Sequence, residues 1–335
     1  MAIIEQLDTY GPQRCVQLNP EQAAAYTRRL VRSHSENFTV ISWLLPRPLR
    51  EDFRNLYAFC RWADDLGDET GDPARSLELL AWWRRELDDG YAGRPRHPVF
   101  VALASTIEKH DIPKKPFADL IDAFVQDQRT DRYETWDQVV DYCSRSANPV
   151  GRLVLYVCGY RDENRQQLSD ATCTALQLAN FWQDVRRDVL ERDRVYIPRK
   201  VAAKHDLDLA LMVTAIKADA ARQRDCATCA TSIRSAGIRA VQPAYVKTLR
   251  ELVDGTWPLF QRGRALWPLV APQVRVDIKL FSRGGEAILR KIERLDYNTL
   301  QIRPKLSKGA KIALMLQAVM GKVTTARRGG DENNP

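Results

Sequence analysis

Between Arg61 and Glu69 the chain reads RWADDLGDE, three aspartates and a glutamate beside an arginine, in a stretch whose apolar spacing is helical. Positions four apart on a helix lie within about 40° of one another, one turn up the axis. Asp64 and Asp68 therefore share a face, with Tyr57, Arg61 and Asp65 on or beside the same stripe. A second concentration, QLANFWQDVRRDVLERDRVYIPRK, begins at Gln177. With Gln177 as zero, Asn180, Asp184 and Asp188 fall at about −60°, −20° and +20°, one polar stripe over three turns. Carboxylates at i,i+4 repel, and each anion taken out of water is costly. A cation is therefore expected between the two helices. Mg²⁺ takes oxygen ligands and is commonly held by one or two carboxylates together with substrate phosphates. The two acidic helices, bearing Asp64 and Asp68 on one and Asp184 and Asp188 on the other, are accordingly expected to hold Mg²⁺ and, through it, a diphosphate leaving group. Either stripe alone also reads as a solvated charged face; two Asp-x-x-x-Asp patterns about 120 residues apart in one helical chain favour the metal.

The elements that must position these groups are helices. Apolar residues recur at helical spacing in LELLAWWRRELDDG and DLIDAFVQDQRTDRY, and alternating strand-like runs are scarce. Prolines at 46, 48, 95, 98, 113, 116 and 198 punctuate the pattern. No repeat of fixed period and no low-complexity linker divides the chain, so one all-α domain is expected over residues 26–300. Residues 1–25 read as an N-terminal extension and 301–335 as a basic helix with a frayed tail. Lys305, Lys308, Lys311 and Lys322 flank an apolar run there, a pattern suited to core packing or to an anionic membrane surface.

At 335 residues the chain is long enough to bury a large core, and no window reaches the roughly 18 apolar residues of a membrane span. The N-terminus lacks the pattern of a secretory signal, so a cytoplasmic protein is expected, with peripheral contact at the inner face of the membrane as an option. Seven scattered cysteines imply reduced thiols; the CxxC of Cys226 and Cys229 has no second pair with which to build a zinc site. The four histidines form no metal-binding pattern. A net charge of +8 suits anionic partners, phosphorylated substrates and membrane surfaces ahead of nucleic acid, for which no motif is present.

Taken in order, HSENF (34–38), YAFCRWADDLGD (57–68), the Asp127–Tyr133 pair, YCSRSANPVG (142–151), QLANFWQDVRRD (177–188) and DRVYIP (193–198) resemble the squalene/phytoene synthases. These are all-α enzymes of the isoprenoid synthase fold, and the resemblance runs from about residue 30 to 300. It implies that Asp64, Asp68, Asn180, Asp184 and Asp188 bind Mg²⁺, or Mn²⁺ in its place, or the metal-bound diphosphate. It sets Asp65 and Gln177 close by and makes Arg61 and Arg194 the groups that grip diphosphate oxygens. His34, Ser35, Asn37 and Tyr57 match substrate-contacting positions, Phe38 would face hydrocarbon, and Tyr196 completes the signature.

One segment departs from the family pattern. Squalene and dehydrosqualene synthases carry a second tyrosine just after the Tyr-Cys pair, linked to condensation; here Tyr142-Cys143 is followed by Ser144 and Arg145. Ser-Ala-Asn-Pro in place of Val-Ala-Gly is similar to the hydroxysqualene synthases of hopanoid gene clusters, as is the C-terminal RPKLSKGAK. That resemblance implies a lyase that ionises presqualene diphosphate and quenches the rearranged cation with water in squalene and hopanoid biosynthesis. Arg145 and Asn148 are the expected neighbours of the quenching water. No glycine-rich dinucleotide fingerprint is present, so no nicotinamide is expected. The alternatives are a condensing prenyltransferase that makes squalene, dehydrosqualene or phytoene, and a non-catalytic membrane-associated member. Oligomeric state is not legible in the residues.

Overall fold

The structure is a computed structural model and describes residues 3–34, 47–225 and 236–305. Ser35, Asn37, Phe38, the CxxC and the basic segment after 305 lie outside the described residues, as does the side chain of His34. Twelve longer helices follow one another among the described residues: α1 Pro20–His34, α2 Arg50–Asp68, α3 Pro73–Tyr91, α4 Pro98–His110, α5 Lys115–Asp127, α6 Trp136–Ser146, α7 Asn148–Val157, α8 Glu163–Arg192, α9 Arg199–Lys204, α10 Leu209–Asp225, α11 Ala236–Gly263 and α12 Pro272–Arg294. The described residues contain no strand, only two isolated bridges.

Several prolines serve as starting positions. Pro73, Pro98, Pro116, Pro149 and Pro272 sit in the first turns of their helices, where a missing N–H leaves no hydrogen bond unmade. The N-caps are chemical as well: Asp72, His97 and Asp162 each accept from a first-turn backbone N–H, and Thr135 with Gln138 forms a capping box. Burial holds the His97 imidazole far below its ordinary value, so it stays neutral, stacked edge-on against Trp62 and Trp83.

Among the described residues two large hydrophobic cores form, with a small third cluster of Leu155, Leu266, Val270 and Val274. One gathers Phe59, Trp62, Trp83, Phe100 and Phe117 from α2 to α5; the other gathers Trp182, Tyr245, Phe260 and Leu289 around α8, α11 and α12. The first also takes in Ile3 and Tyr26, whose hydroxyl donates to Gln6 at 2.8 Å. Helix α8, 30 residues and so about 45 Å long, is the axis of the second core, packed by α7, α11 and α12. A Cβ on Gly285 of α12 would lie 2.6 Å from both Leu176 and Phe260, so that position lets α12 approach α8 and α11 closely. Helices α2 and α8 belong to different cores and face each other across the space where the cores meet.

Candidate active site

On both facing helices one stripe changes character along its length. On α2 it runs Phe53, Leu56, Tyr57 and Cys60, then Asp64 and Asp68; on α8 it runs Ser169, Cys173, Leu176 and Gln177, then Asn180, Asp184 and Asp188. The first part of each stripe lines an apolar cavity of about 420 Å³, and the second part lines an acidic cavity of about 830 Å³. Ser146 and Gln177 line both, so the cavities adjoin there. The result is one site with an apolar end and a charged end.

The carboxylates sit in the C-terminal turns of α2 and α8, where the helix dipole already points its negative end. The cluster is correspondingly strained electrostatically. Burial and then Asp68 push Asp64 up to about 6, while burial and then Asp184 push Asp188 up to about 7. Arginines answer part of this charge. Arg192 lies 2.8 Å from Asp68, Arg194 lies 3.4 Å from Asp68 and 3.5 Å from Asp127, and Arg61 spans Asp64 and Asp65. Arg303 grips both oxygens of Asp184, from beyond the C-terminal end of α12. The turn that returns Arg194 to the site depends on Asp193, which adopts a left-handed φ of 51° and lets the Arg194 N–H reach the Asp188 carbonyl at 3.1 Å.

Below the carboxylates lies an aromatic floor. Phe181 and Tyr196 stack 3.7 Å apart and 8° from parallel, with Tyr133 and Tyr142 each 5.8 Å from Tyr196. Tyr142 donates to Asp127 at 2.8 Å, and burial pushes the Asp127 carboxyl up to about 7.

The expected residues fall into three groups. Asp64, Asp68, Gln177, Asn180, Asp184, Asp188, Arg194 and Tyr196 share the acidic cavity. Tyr57 faces the apolar one, and Arg61 and Asp65 pair beside the acidic wall, with Asp65 buried. Arg145 and Asn148 line neither cavity. Arg145 follows Asp141 by one helical turn and is held by it at 2.6 and 2.9 Å and by Gln126 at 2.8 Å; Asn148 accepts from Thr174 at 2.9 Å. Arg192 and Arg303 were not singled out by sequence reasoning. Arg192 extends the Asp184–Asp188 stripe by one more turn, a legible signal, whereas the placement of Arg303 is visible only in three dimensions.

The donor set suits Mg²⁺. Five aspartates, Asp64, Asp68, Asp127, Asp184 and Asp188, and the Asn180 amide line one cavity, and three of those carboxyls, Asp64, Asp127 and Asp188, remain raised despite their arginines. Among the described residues no three acidic, imidazole or thiol side chains converge into a cage. That arrangement fits an ion that takes one or two carboxylates and completes its shell with water and phosphate oxygens.

A helical fold with two aspartate-bearing helices facing across a central cavity is the isoprenoid synthase architecture. Within it, the chain belongs to the squalene/phytoene synthase family, whose model matches residues 31–310. It is 31% identical over 264 residues to the hydroxysqualene synthase of Rhodopseudomonas palustris, covering 78% of this chain and 80% of that protein. It is 39% identical over 165 residues to the hydroxysqualene synthase of Sinorhizobium fredii, covering 49% of this chain and 55% of that one. Among solved structures, squalene synthase HpnC from Alicyclobacillus acidocaldarius superposes with a TM-score of 0.71 at 40% identity, covering 83% of this chain and 95% of that one. A dehydrosqualene synthase shares the fold, with a TM-score of 0.72 at 21% identity over 91% of this chain and 98% of that one. No helix among the described residues is long and apolar enough to cross a membrane.

Proposed function

We propose that this chain is a hydroxysqualene synthase, which ionises presqualene diphosphate at the acidic end of the site and quenches the resulting cation with water. The observation that carries the reading is the junction at Ser146 and Gln177, where a cavity of carboxylates and arginines opens into an apolar one. A substrate with a diphosphate head and a long hydrocarbon body fits that division. The similarity to two hydroxysqualene synthases and the absence of a tyrosine after Tyr142-Cys143 support the water-quenching branch over the condensing one.

In this reading Asp64, Asp68, Asn180, Asp184 and Asp188 hold Mg²⁺, which supplies Lewis-acid stabilisation of the departing diphosphate. Arg61, Arg192, Arg194 and Arg303 exchange part of their carboxylate contacts for diphosphate oxygens and balance the charge that develops on them. The Tyr142 hydroxyl and the Arg194 guanidinium are held in place by Asp127, so the floor and one grip of the site are oriented together. Gln177 and Ser146 stand where the reacting carbon passes from the polar to the apolar cavity. The apolar walls hold the hydrocarbon and limit how much water reaches the cation.

The test is substrate choice. Purified protein with Mg²⁺ is expected to consume presqualene diphosphate without NADPH and to leave farnesyl diphosphate untouched. Consumption of farnesyl diphosphate, with a thirty-carbon product, would establish the condensing alternative instead.

A further inference from the structure

Helix α12 places Val274, Asp277, Ile278 and Phe281 on the wall of the apolar cavity. That spacing is the i, i+3, i+4, i+7 pattern of a core-facing stripe, and one of its four positions is filled by an aspartate. Asp277 is 6% exposed, as buried as its apolar neighbours Val274 and Val276. Asp277 is the sixth residue of the 23-residue α12, past the first turn in which a helix favours aspartate, and burying a carboxylate costs more than burying leucine or valine at the same place. Its charge is felt inside the cavity. The Cys158 thiol, on the same wall, is pushed up to about 12, first by burial and then by Asp277.

None of the roles assigned to the acidic cavity accounts for this group. Asp277 stands apart from the Asp64–Asp68 and Asp184–Asp188 stripes, in the cavity that takes the hydrocarbon rather than the diphosphate. Adding water to a cation there has a requirement that Mg²⁺ and the arginines of the other cavity do not meet. Once the water oxygen bonds to the cationic carbon, the product is a protonated alcohol that must lose a proton within an apolar enclosure. A carboxylate on that enclosure's wall is an acceptor for it. The buried Oγ of Ser146, which has no hydrogen-bond partner, lies on the same lining and offers a second polar contact for a water at the junction.

Resting on the hydroxysqualene reading, we infer that Asp277 is the group that orients the quenching water and takes its proton. The step balances: the C–O bond to diphosphate breaks with both electrons leaving on the diphosphate, and the water oxygen supplies the pair for the new C–O bond. One proton passes to the Asp277 carboxylate and is returned to solvent when the product leaves. With this group removed, the cation survives longer and is lost by proton elimination to hydrocarbons or by capture at other carbons.

The deciding measurement is the number of hydroxysqualene molecules formed per diphosphate released, counted in one reaction with Mg²⁺ and presqualene diphosphate. Both counts come from the same folded molecules, so a smaller folded fraction in a variant cancels from the ratio. Asp277→Asn and Asp277→Leu are expected to lower the ratio at least tenfold, with alkenes or isomeric alcohols replacing the product, and Asp277→Glu to recover part of it. An unchanged ratio in Asp277→Asn, with wild type making hydroxysqualene, overturns the role of Asp277 alone. A wild-type protein that makes no alcohol from presqualene diphosphate overturns the functional reading and this inference with it.

Discussion

Asp68, in the last turn of α2, lies 2.8 Å from the guanidinium of Arg192, in the last turn of α8. The contact joins two helices that belong to different cores, and it brings a cation to the mutual negative end of two helix dipoles. Arg194 approaches the other oxygen of the same carboxylate at 3.4 Å. Asp68 is thus the point at which the two halves of the acidic cavity are tied together. Asp68→Asn keeps the shape, removes the charge and leaves two arginines partly unanswered. We expect turnover to fall by more than about 100-fold, with circular dichroism unchanged, because in the proposed function this charge acts on the metal and diphosphate. Asp64→Asn and Asp184→Asn are expected to behave alike, and steady-state kinetics of the three variants check it.

Arg303 reaches Asp184 from a position 119 residues later in the chain. In the proposed function it is a diphosphate grip in waiting, so Arg303→Gln should raise KM by about tenfold, the size of one lost charge-assisted contact. Initial rates across a substrate series separate this from an effect on kcat alone.

The Tyr142 hydroxyl is the side-chain donor to Asp127, whose second oxygen is buried without a hydrogen bond. Tyr142→Phe therefore leaves a buried carboxylate with one donor fewer, a cost of about 1–3 kcal/mol. A lowered melting temperature with the helical signal intact is the expected outcome of a thermal melt.

The raised carboxyls set a pH dependence of stability. Asp188 and Asp127 stand at about 7 and Asp64 at about 6, all above the ordinary 3.8, so the folded chain binds these protons more tightly than the unfolded chain does. Stability from this source is fully present below the unfolded value and is lost as pH rises through the folded ones. Asp52 and Asp193 are shifted the opposite way, below 3.8, and so act only at lower pH. Metal-free protein is expected to melt at progressively lower temperature from pH 5 to pH 8. Mg²⁺ should reverse much of that fall at pH 8 by binding the folded state. Scanning calorimetry at both ends of the range, with and without Mg²⁺, reads the effect.

Local spacing carried much of this architecture. Gln177, Asn180, Asp184 and Asp188 lie within a single helix, and the 100° step places them on one face before any tertiary information enters. The same reasoning aligned Asp64 with Asp68, and the structure brings the two stripes to one cavity. Contacts between distant segments were not legible in this way. Arg303 reaches Asp184 only through the path of the chain after α12, and Asp277 looks like any charged residue until its helix is seen to turn that face inward. Arg145 shows the converse limit. It sits in the distinctive SRSANP segment, yet a one-turn ion pair with Asp141 draws its side chain away from both cavities.

In the proposed function, water bonds to carbon at this site after diphosphate departs from it. Incubating the protein with presqualene diphosphate and Mg²⁺ in water enriched in oxygen-18, without NADPH, tests this directly by mass spectrometry of the products. The expected product is hydroxysqualene carrying the heavy oxygen, with none of that label in the released diphosphate. Label appearing in diphosphate instead, or a hydrocarbon as the main product, would contradict it.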